Sequence, residues 1–238
     1  MNNERTATAD RTAAGRALLL RDQALATLDE GDPAAPLVIN QALAVLEAAG
    51  LSSGPDMAAV LVTRAEIEES ADRFGDAAAT ASLAIRLLDG STAGHPDAAR
   101  DWNALGALYH GAGRLGDAAE AYRRALAVFE HRFGPEHFEV GMTCANLAVL
   151  ASDEGRCEEA ESLGRRSARI LEAVLGPEDA EVGLTLLNLA ACIAQQGRQA
   201  EAAALASRSA AILAARLPAG HPYVAAAAEA VRAWEPPA

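Results

Sequence analysis

The chain has 238 residues, 51% of them apolar but only 4% aromatic, and its 20 basic residues face 33 acidic ones for a formal net charge of -13. An alanine-rich apolar set with few aromatics suits close helix-on-helix packing and argues against a β-sandwich, whose strands draw on β-branched and aromatic side chains. Residues 1–120 carry 9 Arg against 18 Asp and Glu, a balance of -9, and so acidic a surface repels phosphate backbones, which argues against nucleic acid as a direct partner.

All the basic residues are Arg and none is Lys, a bias ascribed to codon usage rather than function. The polar start MNNERTATADRTAAGR lacks the apolar segment of a secretory signal. No apolar run approaches the ~20 residues a membrane helix requires. Cys144, Cys157 and Cys192 form no CxxC pair, which fits unpaired thiols in a reducing compartment. The expectation is a soluble cytoplasmic protein without membrane partners.

Residues 1–10 are polar and expected to be frayed. Over residues 12–30, Leu18, Leu19, Leu25 and Leu28 recur at helical spacing until Gly31-Asp32-Pro33 stops the pattern. A second helix over 35–48 completes a hairpin. Three features place the next one at residues 56–89: a turn at 72–76, a second helix over 77–88, and the break at Gly94-His95-Pro96. Further hairpins span 97–132, 138–175 and 180–217. A final helix over 223–234, ended by Pro236-Pro237, has no successor and would cover the apolar end of the stack. The whole reads as one domain over 11–234 with a tail at 235–238.

These units repeat. Gly113-Arg114, Gly155-Arg156 and Gly197-Arg198 are spaced by 42 residues each time, and a fixed period of that size marks stacked supersecondary units. The three glycines sit where a left-handed residue closes a helix at no steric cost. Gly106, Ala148 and Ala190 are equivalent on the first helices. Ala77, Ala118, Ala160 and Ala202 are equivalent on the second, as are Ala84, Ala125, Ser167 and Ser209. Small residues there let paired helices approach closely.

Trp102-x2-Leu105-Gly106-x2-Tyr109, followed by Ala118-x3-Tyr122-x2-Ala125, resembles the tetratricopeptide repeat signature. The longer period and the linkers Gly134-Pro135-Glu136-His137 and Gly176-Pro177-Glu178-Asp179 resemble the kinesin light chain variety. The resemblance covers roughly residues 12–217. It implies an all-α, right-handed α-solenoid of about five helical hairpins plus a C-terminal capping helix. Its concave face would be lined by the first helices, the usual peptide groove of such proteins.

Mapped onto this chain, the groove presents Val62, Glu66 and Glu69, then Arg100, Asn103, Ala107 and His110. It continues with Met142, Asn146, Val149 and Asp153, then Leu184, Leu187, Asn188, Ala191 and Gln195. Groove asparagines in kinesin light chain repeats bond the backbone of an extended cargo peptide. Asn146 and Asn188 match that role, and Asn103 stands one position out of register. Glu66 and Glu69 depart from a groove for acidic cargo and favour a neutral or basic segment.

His95, His137 and His221 recur at spacings of 42 and 84 residues. They fall on successive units, so linker packing and capping fit better than a shared metal. Glu66, Glu69 and Asp153 with Arg100 and His110 superficially resemble an acid–base set, but no activated nucleophile accompanies them. Cys157 shows no redox partner, the Arg123-Arg124 and Arg165-Arg166 pairs fit intrahelical pairing with nearby glutamates, and Trp102 and Trp234 read as packing residues. The expectation is a non-catalytic, cofactor-free interaction scaffold holding a protein or peptide segment, with self-association open. The alternative is a groove adapted to a small molecule or to chemistry.

Overall fold

The computed structural model describes residues 2–89 and 96–234, which contain eleven α-helices and no strand. They are α1 (Asn2–Asp29), α2 (Ala35–Ala48), α3 (Pro55–Ser70), α4 (Phe74–Asp89), α5 (Pro96–Gly111), α6 (Leu115–Phe133), α7 (Phe138–Asp153), α8 (Cys157–Leu175), α9 (Ala180–Gln195), α10 (Gln199–Arg216) and α11 (Pro222–Trp234). The helices pair into hairpins, α1 with α2, α3 with α4, α7 with α8 and α9 with α10, and α11 packs on α10 and α9. The all-α hairpin array is therefore the fold.

Two boundaries differ from the sequence reading. The polar start, expected to be frayed, belongs to α1 from Asn2 onward: no Pro or Gly interrupts it before Gly15, so nothing stops the helix from running back. Phe74 already opens α4, which shortens the turn before it. His95 and the tail at 235–238 lie outside the described residues.

The turns follow their chemistry. Gly113, Gly155 and Gly197 have φ of 72°, 72° and 79°. After α7, Arg156 N–H donates to the Ala151 carbonyl and Gly155 N–H to that of Ser152, at 2.8 and 3.0 Å, the paired closure of a left-handed helix cap. In the hairpin of α3 and α4 that place falls to Asp72, at φ 59°, a residue type that tolerates the left-handed region better than most. At the starts of α7 and α9, His137 Nδ1 and Asp179 Oδ1 accept from the backbone two residues on, and His221 Nδ1 does so for Tyr223. The linker histidines that are described cap helices.

The chain divides into two compact units, Met1–Val128 and Phe129–Ala238. In the first, α3 packs against α1, α2, α4 and α5. Its core holds Ile39, Leu46, Leu105 and Tyr122, each no more than 2% exposed, and each apolar side chain so buried contributes roughly 1.5–3 kcal/mol. One carboxylate is sealed inside: Glu68 accepts from Arg64 Nε at 2.8 Å and from Thr80 Oγ1 at 2.7 Å, which offsets the cost of burying its charge.

In the second unit, Leu171, Val182, Leu186 and Ile212 form a core patch against which Phe138, Met142 and Leu205 pack. Trp234 of α11 covers Leu189, Ile193 and Ala202. The small-residue positions are as sealed as their spacing required: Ala160 and Ala202 are 2% and 0% exposed, Ser167 and Ser209 both 0%. Polar clips repeat at the same period. Arg166 donates to Glu130 and the Pro135 carbonyl, and Arg208 donates to Glu172 and the Pro177 carbonyl. Arg165, Glu161, Arg198 and Glu201 close a four-membered ring of ion pairs between α8 and α10. Arg123 aside, the arginine pairs singled out in the sequence are engaged with acidic neighbours, Arg124 with Glu120.

Candidate functional site

Between α7, α8 and α9 the second unit encloses a concavity of about 180 Å³. Its floor is made of small side chains: Ala145 and Ala148 from α7, Ala160 and Gly164 from α8, Ala191 and Cys192 from α9. The rim is polar, with Ser152, Asp153, Asn188 and Gln195. Helical geometry explains the set, because residues three and four apart share a face, so Val149 and Asp153 of α7 line the hollow together, as do Asn188 and Gln195 of α9.

The hollow has a definite origin in the repeat. A Cβ on Gly106 would lie 2.6 Å from the Tyr122 ring, so in that hairpin a large residue fills the space over a glycine. One period on, the pair is Ala148 and Gly164. A Cβ on Gly164 would stand 3.9 Å from that of Ala148 and 3.3 Å from Leu189 Cδ1. The side chain that occupies this place in the preceding hairpin is missing, and the space opens outward.

Five of the groove residues read from the sequence, Val149, Asp153, Asn188, Ala191 and Gln195, line this concavity. Met142 does not line it; half-buried, it packs with Phe138 against the core patch that holds Leu171 and Leu186. Asn146 and Leu184 are half-buried on the same two helices without lining it. Beneath the rim, Cys157 Sγ lies 3.6 Å from Gln195 Oε1, and Cys192 Sγ donates to the Cys157 carbonyl at 3.2 Å. The sequence showed no neighbour for Cys157; the fold supplies Cys192, whose thiol burial pushes upward in pKa, the direction of an inert side chain.

In the first unit, Arg100 is exposed while Asn103 and His110 are half-buried on α5. Val62, expected at the groove, is 3% exposed and part of the core. Glu66 and Glu69 are half-buried. Burial, with Asp101 and Glu69 nearby, pushes the Glu66 carboxyl from 4.5 to about 7, Arg21 pulling the other way. Burial also raises Glu69, whose Oε1 would stand 2.3 Å from a Cβ on Gly111. Sequence reasoning placed these carboxylates correctly on α3 but did not bring Asp101 of α5 to them. Gly164 and Ala160 of the concavity were read as packing residues; the 42-residue alignment of Tyr122 with Gly164 was the signal that could have exposed the vacancy.

Comparisons with known proteins agree with this architecture. Residues 139–215 match one tetratricopeptide repeat family profile and residues 103–139 match another. No curated protein matches the chain. Among solved structures, the nearly identical TPR-like repeats of a Podosopora anserina protein described as a kinesin light chain share 20% identity, at a TM-score of 0.63 over 74% of this chain and 84% of that one. BtubC (BKLC) from P. vanneervenii shares 19% identity at a TM-score of 0.61, over 95% of this chain and 85% of its own. The apo form of RapI shares 13% identity at a TM-score of 0.66, over 98% of this chain and 69% of its own. No helix among the described residues is long and apolar enough to cross a membrane. Residues 103–215 thus match tetratricopeptide repeat profiles, and the chain shares the fold of these solved repeat structures.

Proposed function

We propose that this chain is a non-catalytic protein-interaction scaffold that captures a segment of a partner on the α7 and α9 faces of its second unit. The observation that carries the reading is the small-residue hollow with Asp153, Asn188 and Gln195 at its rim. Apolar walls with a few convergent polar groups are the usual make-up of a recognition pocket. An aliphatic side chain of the segment fits the floor of Ala148, Ala160 and Gly164, while Asn146 and Asn188, one period apart on the two helices, bond its backbone. The Asp153 carboxylate favours a neutral or basic segment over an acidic one. Preformed helices lower the ordering cost on the scaffold's side.

The test is an array of random 12-residue peptides probed with the wild-type protein and with the double variant Asn146→Leu/Asn188→Leu. Binders enriched in aliphatic and basic residues should be retained by the wild type and lost by the variant, with far-ultraviolet circular dichroism unchanged. Equal binding by both proteins would move the site off these faces.

A further inference from the structure

The seam between α8 and α9 holds two thiols. Cys157 opens α8 and is half-buried, while Cys192 of α9 is 2% exposed. Both side chains belong to one small apolar patch, in which Cys157 packs against Ala151, Ala160 and Cys192. Hydrogen bonds tie the two residues together. Cys192 Sγ donates to the Cys157 carbonyl at 3.2 Å, and Gln196 Nε2 donates both to that carbonyl at 3.4 Å and to Cys192 Sγ at 3.6 Å. Cys157 Sγ in turn donates to Gln195 Oε1 at 3.6 Å. Residues 192, 195 and 196 are three and four apart and share one face of α9, so that face holds the start of α8 in place.

The repeat offers a contrast for these thiols. One 42-residue period earlier the same two positions are Leu115 and Leu150, so packing alone is served there by leucine. Cysteine is a smaller hydrophobe, and what it adds is a sulfur open to oxidation. Cys144 is placed differently. It is 0% exposed on α7, and the charged groups that act on its thiol are Arg166 and Glu130.

We propose that Cys157 and Cys192 are a reversible redox pair, oxidised by a peroxide to a disulfide that ties α8 to α9. The half-exposed Cys157 sulfur meets the oxidant first, taking one oxygen from the peroxide to become a sulfenic acid as one water is released. The Cys192 sulfur then attacks the Cys157 sulfur. The S–S bond forms as the S–O bond breaks, and the hydroxyl leaves with the Cys192 proton as a second water. A dithiol reductant reverses the step by exchange, becoming a disulfide itself. Burial, which raises the Cys192 thiol in pKa, keeps that sulfur from reacting with oxidant by itself and reserves it for its neighbour. The link joins consecutive hairpins beneath the hollow, and Cys192 is itself part of the hollow's floor. Its chemistry needs no partner segment, so it stands or falls apart from the groove.

The test exposes the full chain, first reduced, to a slight excess of hydrogen peroxide. Free thiols are then blocked with iodoacetamide in denaturant and the chain is mapped by mass spectrometry. An intramolecular link between Cys157 and Cys192 is expected, with Cys144 left to be blocked, and dithiothreitol should restore all three thiols. The linked form should melt at a higher temperature than the reduced form, because a cross-link restricts the unfolded chain. Cys157→Ser should form no link, keep Cys192 free after the same exposure and show no change in Tm, while Cys144→Ser should behave as the wild type. A link through Cys144, a link between two chains, or Cys157 passing to sulfinic acid with Cys192 still free overturns the proposal. So do thiols that stay unreacted, and so does a linked form that melts no higher than the reduced one.

Discussion

At the scale of single residues, Glu66 makes the sharpest statement about pH. Its carboxyl titrates near 7 in the folded chain against an ordinary 4.5, chiefly through burial and then through Asp101 and Glu69. Between those values the folded state holds a proton that the unfolded state has released, so stability falls as pH rises through this window. Above about pH 7 the folded chain carries a desolvated charge at full cost; below about 4.5 the two states are alike. Glu66→Gln keeps the shape and removes the charge, and the Arg21 attraction it forfeits only partly offsets the gain. The variant should be more stable than the wild type by on the order of 1–3 kcal/mol at about pH 8, with the difference shrinking at about pH 5. Urea denaturation at the two pH values measures it, and a constant difference would locate the effect elsewhere. Two equivalent serines give a second contrast. Ser209 Oγ donates to the Gly183 carbonyl at 2.7 Å, whereas Ser167 Oγ, buried one period earlier, meets no partner among the described residues. Ser209→Ala should cost about 0.5–1.5 kcal/mol, while Ser167→Ala should be neutral or stabilising, because a buried hydroxyl without a partner is itself costly. Thermal denaturation of the two variants would show a similar loss in both if the distinction were false.

At the scale of helices, each hairpin solves one packing problem with a different division of volume. Gly106 yields to Tyr122; Ala148 faces Gly164; Ala190 and Ala206 stand at the same places one period on, both 0% exposed. Gly106→Ala brings a methyl within 2.6 Å of a ring that is 2% exposed and has nowhere to swing. The expected loss is about 1–3 kcal/mol of overpacking, larger than the ~1 kcal/mol that alanine gains over glycine in a helix. In a Tyr122→Ala background the same change should become neutral or favourable, a coupling of at least about 1 kcal/mol in a double-mutant cycle; simple additivity would deny the contact. These pairs also mark how far the sequence could be read. Helix ends, the left-handed glycines and the sealed alanines follow from local chain rules repeated every 42 residues, so Gly155, Ala202 and the ends of α7 were legible without coordinates. The hollow beside Gly164 was not, because it depends on which of two facing positions carries the bulk. For the same reason Glu68, and not its neighbours Glu66 and Glu69, is the carboxylate sealed at 2% exposure, and Met142, half-buried, rests against the core patch.

At the scale of whole units, hairpins packed side by side, as α7–α8 and α9–α10 are in the second unit, gain stability from their neighbours. The last hairpin has α11 in place of a successor, and the helix is thinly held: Ala227 is its one side chain counted as buried. Its value lies in Trp234, which covers Leu189, Ile193 and Ala202 on α9 and α10. Ending the chain after Leu217 would return that patch to water. In a body with one shared core such damage would lower protection everywhere, but in a row of nearest-neighbour contacts it should be greatest at the end that lost its cover. Native-state hydrogen exchange on the truncated protein should therefore show α9 and α10 losing protection by at least about tenfold, the equivalent of about 1.4 kcal/mol, while α3 and α4 change little. An even loss along the chain would mean that the repeats melt as one unit. A ligand on the α7 and α9 faces would then have to stabilise the whole array, whereas in the local picture it needs only to steady the hairpins it touches.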